Sequence, residues 1–585
     1  MNIIKLTIDG QEIESAKGVT ILAAAKSIGI KIPSLCYMKM SDIDFKNDCA
    51  SCRVCVVEVE GRRNLAPACS TWVAENMVVF TNTARVIRSR KTIVELLLSD
   101  HPKDCLICVK NGECELQTLA QNLGIRKIKY QGRESKYRKE VSPSIVRDSD
   151  KCIMCKRCEN MCTNIQTVGA LSGIHRGFEA AVATSFEQNL ETTVCTNCGQ
   201  CVAVCPVGAL YETDYTEELI RDIADPKKTV VVQIAPAVRV ALGEEFGYLP
   251  GTDVTGEMIA SLKKIGFDKV FDTNFAADLT IMEEASELKE RLEKFLDGDK
   301  NVKLPLITSC CPSWVKFCEH NYHDMLEHLS SAKSPQQMFG AVAKNIWAKE
   351  MKIKRKDLIV VSIMPCLAKK YEAAREEFSF EGNPDVDYSI STRQLASLLK
   401  QSNIDLKNIE KEKFDNPLGY STGAGDIFGR TGGVMEAALR TVHEWITGEE
   451  LENVDFGVLR GLHGIRTATV EIKGIKLRIG IANGLGSARE LIERIRKGEE
   501  QFHAIEIMAC KGGCIGGGGQ PYHQGKFRVI KERQHTIQAI DEGKSIRKSH
   551  CNPYVTELYE KHLVKPLSNE AHYFLHTRYE AKKNI

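Results

Sequence analysis

Residues 152–162 read CIMCKRCENMC, and residues 195–206 read CTNCGQCVAVCP. Each stretch spaces four cysteines as C-x2-C-x2-C-x3-C, and a proline follows the second run. This is the ligand spacing of paired [4Fe-4S] clusters. The two stretches therefore predict an iron–sulfur domain that holds two clusters.

Composition limits what the rest of the chain can be. Its 585 residues are too many for one hydrophobic core, so several domains are expected. A net charge of +2 gives no general attraction to nucleic acid or to a membrane surface. The sequence shows no secretory signal and no apolar run of membrane-spanning length. We expect a cytoplasmic protein without a membrane span, in which cysteines are metal ligands or catalytic groups rather than disulfides.

The two cysteine runs resemble the bacterial two-cluster ferredoxins, in which the fourth cysteine of each run ligates the other cluster. The resemblance implies a domain over residues 141–215. One [4Fe-4S] cluster would be held by Cys152, Cys155, Cys158 and Cys205. The other would be held by Cys195, Cys198, Cys201 and Cys162.

Towards the N-terminus the cysteine spacing is C-x15-C-x2-C-x13-C. Asp9-Gly10 predicts a β-hairpin, and the apolar spacing of Thr20–Ile28 predicts a short helix. The stretch resembles a plant-type ferredoxin-like β-grasp domain, which implies one [2Fe-2S] cluster within residues 1–80. Its ligands would be Cys36, Cys52, Cys55 and Cys69. Cys49 also stands three residues before Cys52, but CRVCVVEVEG resembles the family motif, so Cys49 is interpreted as a spare thiol.

Between these regions, HPKDCLICVKNGEC supplies one histidine and three cysteines: His101, Cys105, Cys108 and Cys114. Taken alone, this set could equally hold zinc. Its place between cluster motifs favours iron. The stretch resembles the His-ligated [4Fe-4S] segment shared by the large peripheral subunit of complex I and long iron-only hydrogenases, expected over residues 81–140. A neutral imidazole ligand should raise the potential of that cluster.

From Val230 onward, strand and helix signals alternate. TVVVQIAP, KVFDT, LPLITS, DLIVVSIMP and LRIGIAN each precede a helical pattern, which predicts a two-lobed α/β domain with mainly parallel strands. Ligands in such domains lie at the carboxyl ends of the strands. The overall fold class is therefore multi-domain α+β, with the cluster domains before a large α/β domain.

Three cysteine motifs follow strands of this domain: TSCCPSW, MPCLAKK and MACKGGCIGGGGQ. They carry five cysteines: Cys310, Cys311, Cys366, Cys510 and Cys514. A cubane has four irons, so one of the five thiols must have another role. The motifs resemble the signatures of [FeFe] hydrogenases, and the resemblance extends over essentially the whole chain.

The resemblance implies an H-cluster in residues 216–530. Cys311, Cys366, Cys510 and Cys514 would hold its [4Fe-4S] cubane, and Cys514 would bridge to a diiron subcluster with CO, cyanide and azadithiolate ligands. Cys310 would carry protons, because a thiol can pass a proton without binding the metal.

The same resemblance implies further site residues. Glu284, Ser330 and Glu287 would continue the proton path from Cys310, and Lys369 would donate to a cyanide ligand. The remaining pocket residues would be Pro236, Pro335, Gln336, Met364, Phe428 and Met508. The sequence departs from the family at two positions. Ala237 stands where Ser is frequent, and Lys511 stands where proline is common.

The tail, residues 531–585, resembles the small-subunit-like segment of these hydrogenases, and Cys318 and Cys551 are interpreted as structural. The implied activity is the reversible formation of H2 from two protons and two electrons, which one [2Fe-2S] and three accessory [4Fe-4S] clusters relay. We expect the catalytic subunit of an NAD(P)H/ferredoxin-linked complex. Its partners would be ferredoxin, flavin-containing NAD(P)H-oxidising subunits or thioredoxin-like [2Fe-2S] subunits, and no nucleic acid partner is expected. The alternatives are a stand-alone hydrogenase that uses ferredoxin, and a non-catalytic hydrogenase-like iron–sulfur protein.

Overall fold

The computed structural model describes residues 3–43, 45–133, 136–522 and 526–583. Contacts along the chain divide it into two compact units. The first contains the described residues up to Ile165, together with Gly169–Leu190 and Val204–Tyr211. The second contains Gln166–Val168, Glu191–Ala203 and the chain from Glu212 onward. Cys195, Cys198 and Cys201 therefore belong to the second unit.

The first unit begins with a five-stranded sheet in the order Gln11–Ala16, Ile3–Ile8, Met77–Phe80, Val56–Val59, Ala66–Pro67. Ile3–Ile8 pairs antiparallel with Gln11–Ala16 and parallel with Met77–Phe80. Asp9 and Gly10 both have positive φ, as a tight hairpin requires. The helix Ile21–Ser27 is capped by Thr20 and packs its apolar side chains against this sheet. The predicted hairpin and helix are confirmed.

The rest of the first unit has little regular structure beyond two helices, Ala84–Ser99 and Glu115–Asn122. Its strand pairs are short: Met38–Met40 with Phe45–Asn47, Glu140–Val141 with Ile145–Arg147, and Ser172–Ile174 with Ala181–Ala183. A helical turn, Arg157–Asn160, continues into a π-helical segment, Met161–Ile165. Cysteine side chains occupy much of the apolar core here, beside Val94, Leu116 and Val207.

The second unit contains two four-stranded sheets. The first has the order Lys269–Asp272, Thr229–Ile234, Leu358–Met364, Tyr388–Ser391, and all its strands are parallel. Its two central strands are rich in Val and Ile and buried nearly throughout, as is usual for parallel strands covered on both faces.

The second sheet has the order Leu306–Ile307, Ala504–Met508, Ile475–Asn483, Ile465–Ile472. Its first three strands are parallel, and Ile465–Ile472 forms an antiparallel hairpin with Ile475–Asn483. The prediction of mainly parallel strands in an α/β domain is confirmed.

Helices flank both sheets: Thr255–Ile265, Thr273–Leu296, Pro312–Asn321, Pro335–Val342, Ala368–Ala373, Thr392–Gln401, Gly433–Thr447 and Leu485–Arg496. The helix Thr273–Leu296 begins at Asp272, whose side chain accepts from Asn274 N. Every side chain from Thr273 to Ala285 is buried, so this half of the helix is enclosed on all sides.

The tail forms Phe527–Glu542, Pro553–Leu558, a π-helical segment Tyr559–Leu563, and Asn569–Leu575. The first of these helices runs through the expected domain boundary between residues 530 and 531. Within the described ranges, no helix combines the length and the apolar character needed to cross a bilayer.

Candidate functional site

The carboxyl ends of four strands in the second unit surround one cavity of about 80 Å³. Pro236 follows Thr229–Ile234, and Cys366 follows Leu358–Met364, both in the first sheet. Cys310 and Cys311 follow Leu306–Ile307 in the second sheet, where Cys510 follows Ala504–Met508. Parallel strands thus bring together loops that are far apart in sequence, such as those of Pro236 and Cys510, as expected for this class of fold.

The cavity collects the residues that the sequence assigned to it. Its lining includes Pro236, Cys310, Cys311, Pro335, Gln336, Met364, Cys366, Lys369, Phe428, Met508, Cys510 and Cys514. Glu284, Ser330 and Glu287 lie outside the lining. Apart from Lys369 and the thiols, the walls are largely apolar.

Two glycines let the loop of Cys514 approach its neighbours. A Cβ at Gly517 would lie 2.1 Å from Pro365 O, and one at Gly513 would lie 2.5 Å from Thr431 N. Gly513 also has a φ of 95°, which other residues rarely adopt. The glycines around Cys514 therefore keep this loop close to the backbone on two sides of the cavity.

Burial dominates the ionisation of the cavity thiols. It raises the pKa of Cys366 to about 12 and the pKa values of Cys311, Cys510 and Cys514 above their usual range. Four such thiolates need a positively charged group among them to stay ionised. The donor set fits a soft iron–sulfur group.

Lys369 is held by a residue that the sequence reasoning missed. Its Nζ donates to Glu372 Oε2 at 2.8 Å and to Cys310 O at 3.1 Å. Although burial opposes the charge, Glu372 raises the pKa of Lys369 above its ordinary value. Gln336 Nε2 and Ser334 Oγ donate to the same carboxylate. The i, i+3 spacing of Lys369 and Glu372 on one helix could have indicated this pair.

Behind Cys310 lies a row of acid and hydroxyl groups. Burial, followed by the charge of Glu287, raises the pKa of Glu284 to about 8. Ser309 and Ser330 lie close enough to this carboxylate to lower its pKa, but neither makes a hydrogen bond of regular geometry with it. Burial and the charge of Glu284 raise the pKa of Cys310 well above its ordinary value.

The row continues outward through hydrogen bonds. Ser330 Oγ donates to Glu287 Oε2 at 2.9 Å, and Arg291 donates to Glu287 Oε1 at 2.7 Å. Ser330 is fully buried, whereas the Arg291 side chain is 17% exposed. Arg291, one turn after Glu287, was also missed. The row thus runs from the cavity to the surface.

The first unit gathers the expected [2Fe-2S] ligands. Cys36, Cys52, Cys55 and Cys69 are all buried, and Cys36 N donates to Cys52 Sγ at 3.4 Å. Hydrogen bonds from Cys52 and Cys69 lower the pKa of Cys36, and one from Cys69 lowers the pKa of Cys55 to about 7. The exposed Cys49 lies apart, with its Sγ 3.3 Å from Cys155 O.

The first unit also contains a cavity, of about 20 Å³. It is lined by Cys152, Cys155, Cys158 and Cys205. These are the first three cysteines of one run and the last cysteine of the other. Burial raises the pKa of Cys152 to about 11. Cys162, the expected partner of Cys195, Cys198 and Cys201, lies in the first unit, whereas those three lie in the second.

The three cysteines of the His101 set are less buried than the expected [2Fe-2S] ligands. Cys105, Cys108 and Cys114 are each half-buried, and burial lowers the pKa of His101. Burial raises the pKa of Cys114, and the nearby Cys108 and Cys105 add to the shift. In the part of the chain that the structure describes, no three His, Cys, Asp or Glu side chains converge on a single-ion site.

Family models match most of the chain. Residues 228–518 match the iron only hydrogenase large subunit, C-terminal domain, and residues 527–582 match the iron hydrogenase small subunit. Residues 2–84 match a 2Fe-2S iron-sulfur cluster binding domain. Residues 90–129 match the NADH-ubiquinone oxidoreductase-G iron-sulfur binding region, and residues 142–211 match the ferredoxin-like domain of NADH-quinone oxidoreductase subunit 3.

Individual relatives extend these matches. NADP-reducing hydrogenase subunit HndD of Solidesulfovibrio fructosivorans is 60% identical and covers 100% of both chains. Iron hydrogenase 1 of Clostridium pasteurianum is 37% identical over 98% of this chain and 99% of its own. A solved variant of the [FeFe]-hydrogenase HydA1 of Chlamydomonas reinhardtii is 39% identical, covers 63% of this chain and 100% of its own, and superimposes with a TM-score of 0.57.

Proposed function

Because this chain belongs to the iron-only hydrogenase family, we propose that its cysteine-lined cavity holds an H-cluster and interconverts protons and H2. The observation that carries the proposal is the convergence of Cys310, Cys311, Cys366, Cys510 and Cys514 on one apolar cavity. When bound, the H-cluster supplies the metal centre at which H2 is formed or split. The chain's own residues hold this group and exchange protons and electrons with it.

Cys311, Cys366, Cys510 and Cys514 would hold the cubane, and Cys514 would also hold the diiron unit. Lys369 would donate to an anionic ligand, because Glu372 keeps its ammonium charged and Cys310 O fixes its direction. Met364, Met508, Phe428, Pro236 and Pro335 would exclude water from the pocket. Gln336 bonds both Glu372 and the Lys369 carbonyl and so braces this arrangement.

Protons would pass between the cavity and the surface through Cys310, Glu284, Ser330 and Glu287. Cys310 and Glu284 are neutral at pH 7 because burial raises both pKa values. Each can therefore donate a proton and take another from its neighbour. Ser330 can donate and accept at the same time, so it would connect the two glutamates.

Electrons would travel through one [2Fe-2S] and three accessory [4Fe-4S] clusters, each held by the ligand set described above. These sets lie in the proposed domains 1–80, 81–140 and 141–215, which precede the catalytic domain, 216–530, and the tail, 531–585. A cytoplasmic location fits such a reducing chain of clusters.

We infer that the enzyme is the catalytic subunit of an NAD(P)-linked complex with flavin-containing and thioredoxin-like [2Fe-2S] subunits. The 60% identity to an NADP-reducing hydrogenase subunit supports this assignment over a stand-alone ferredoxin hydrogenase. Reconstitution tests it. H2-dependent NADP+ reduction should require the flavin-containing subunit, whereas viologen reduction should not. Rapid H2-dependent reduction of ferredoxin by the isolated chain, with no stimulation by a flavin subunit, would contradict the complex.

The catalytic proposal is tested with Cys310→Ala in protein matured and purified without oxygen. H2 production from reduced viologen should fall by roughly a hundredfold or more, because a positioned proton donor is lost. The iron content should not change, since Cys310 is not assigned to a cluster. Cys551→Ala removes an exposed cysteine and serves as the control. Inactive wild-type protein with a full H-cluster would overturn the enzyme assignment, and full activity of Cys310→Ala would overturn the role of Cys310.

A further inference from the structure

Glu283 is a fully buried carboxylate that the proposed proton path does not use, although it directly precedes Glu284. Its Oε2 accepts from Leu567 N at 2.9 Å and lies 2.9 Å from His576 Nε2. Its Oε1 accepts a hydrogen bond from the Tyr559 hydroxyl. All three partners belong to the tail. The helix Thr273–Leu296 is therefore fastened to the tail one residue before Glu284.

His576 connects this anchor to Ser331, the neighbour of Ser330 on the proposed proton path. Its Nδ1 lies 2.8 Å from Ser331 Oγ. Ser331 N donates to Glu287 Oε2 at 3.2 Å, and the same oxygen accepts from Ser330 Oγ. One imidazole thus bridges Glu283 and the serine pair that holds Glu287.

The backbone adds a second link between the tail and the serines. Thr577 N donates to Ser331 O, and Lys333 N donates to Leu575 O, both at 2.8 Å. His576 lies opposite Ala332 in an antiparallel bridge. The position of the segment that carries Ser330 and Ser331 therefore depends on the tail.

We propose that His576 is a positioning residue for proton transfer, because its imidazole, anchored on Glu283, fixes Ser331 and with it the spacing of Ser330 and Glu287. The inference rests on the proposed function, since it concerns the proton path of the same site. Relay through hydrogen bonds needs heavy atoms about 2.6–3.2 Å apart. A displacement of about 1 Å can slow such a step a hundredfold.

The test compares His576→Ala, His576→Gln and His572→Ala in the full-length, matured enzyme. His576→Ala should lower kcat for H2 production about tenfold or more and raise the solvent isotope effect, because proton transfer becomes rate-limiting. KM for the viologen donor and the iron content should not change. His576→Gln should restore much of kcat, since an amide can contact both Glu283 and Ser331.

His572→Ala is the matched control. His572 is exposed, and its ring lies against His576 with centroids 4.1 Å apart and planes tilted by 42°. The variant therefore removes a neighbouring imidazole and keeps the bridge. It should behave as the wild type. A folded His576→Ala enzyme with wild-type kcat and isotope effect would refute the proposal, as would an equal loss in His572→Ala.

Ser331→Ala keeps the proposal testable if His576→Ala does not fold. It removes only the hydroxyl that His576 contacts and leaves the pair of His576 and Glu283 in place. It should raise the isotope effect in the same direction, and a wild-type isotope effect would count against the bridge.

An infrared measurement does not depend on hydrogenase activity. In protein that lacks the diiron unit, the carboxyl C=O band lost in Glu284→Gln identifies Glu284. That band should shift in Ser331→Ala and not in His572→Ala. If loaded wild-type enzyme made no H2, the proposed function would fail, while this band would still decide the positioning role: an unshifted band would refute it.

Discussion

Glu284 is the residue on which the proposed proton path depends most. It lies on the buried half of the helix Thr273–Leu296, where burial outweighs the opposing effects of Ser309 and Ser330 on its pKa. A buried carboxyl that is not held in a hydrogen bond of regular geometry favours the neutral form. This explains how an acid can hold a proton at pH 7 in the interior of the domain.

The raised pKa of Glu284 predicts a specific pH dependence of stability. The folded protein keeps this proton up to a pKa of about 8, whereas an unfolded glutamate loses it near the ordinary value of about 4.5. The contribution of Glu284 is therefore fully present below pH 4.5 and is lost as the pH rises through 8. The loss should amount to roughly 3–5 kcal/mol.

Glu284→Gln should remove this part of the pH dependence. Chemical denaturation of both proteins between pH 5 and pH 9 gives the difference in unfolding free energy, which should shift in favour of the variant as the pH rises. Glu293→Gln, on the exposed part of the same helix, controls for charge. A wild-type pH profile in Glu284→Gln would show that Glu284 is ionised in the folded protein.

Some contacts of the site could not be predicted from the cysteine motifs alone. The thiols were predictable because each stands in a motif with fixed spacing. Glu372 and Arg291 stand three and four residues after predicted site residues and could have been found by helical spacing. Glu283 and His576 could not, because their contact joins residues 293 positions apart and depends on how the tail packs.

At the scale of elements, the site is built where strands end. Thr229–Ile234, Leu358–Met364 and Ala504–Met508 are short apolar runs that the sequence identifies as buried strands. Their parallel pairing follows from the helices between them. The division into two sheets was predicted as two lobes, but strand order was not, because nothing local in a buried apolar strand specifies its neighbours.

The loop after Ala504–Met508 can be used to test how closely the Cys514 loop must approach the Cys366 loop. Gly517 has φ −62° and ψ 151°, which any residue can adopt, so only space excludes a side chain there. Its Cβ would lie 2.1 Å from Pro365 O, a backbone atom that cannot rotate away. Gly517→Ala should therefore move the Cys514 loop away from the Cys366 loop.

We expect Gly517→Ala to lose iron from the cavity and to destabilise the protein by about 1–3 kcal/mol, a typical cost of overpacking. Iron content and the thermal unfolding midpoint measure the two effects. Gly543→Ala is the matched control, since its Cβ would lie 3.4 Å or more from its neighbours. Equal behaviour of the two variants would mean that the approach of the two loops is not required.

At the scale of the whole molecule, the catalytic domain resembles a chain that is complete without the N-terminal cluster domains. The HydA1 chain is covered in full by 63% of this one. Residues 90–129 and 142–211, which precede the catalytic domain, match models of NADH oxidoreductase subunits. The molecule therefore joins a hydrogenase catalytic domain to iron–sulfur regions that also resemble NADH oxidoreductase subunits. For electrons to pass in both directions, the potentials of the two parts must be matched.

A substitution of His101 tests whether the cluster potentials are matched in this way. An imidazole is neutral where a thiolate is charged, so a cluster with one histidine ligand should have a higher potential than one with four cysteines. His101→Cys should lower the midpoint potential of this cluster by roughly 100 mV. The potential is measured by redox titration monitored by electron paramagnetic resonance, and the signals of the other clusters serve as internal references.

The effect of His101→Cys on activity depends on the direction of electron flow. A lower potential at this cluster makes it a poorer acceptor of electrons released by H2 oxidation. H2-dependent NADP+ reduction by the assembled complex should therefore slow, while H2 production from reduced viologen by the isolated chain should change less. Lys103→Ala, at an exposed position two residues away, tests whether a change in local charge alone moves the potential. An unchanged potential in His101→Cys with full iron content would show that His101 does not ligate the cluster.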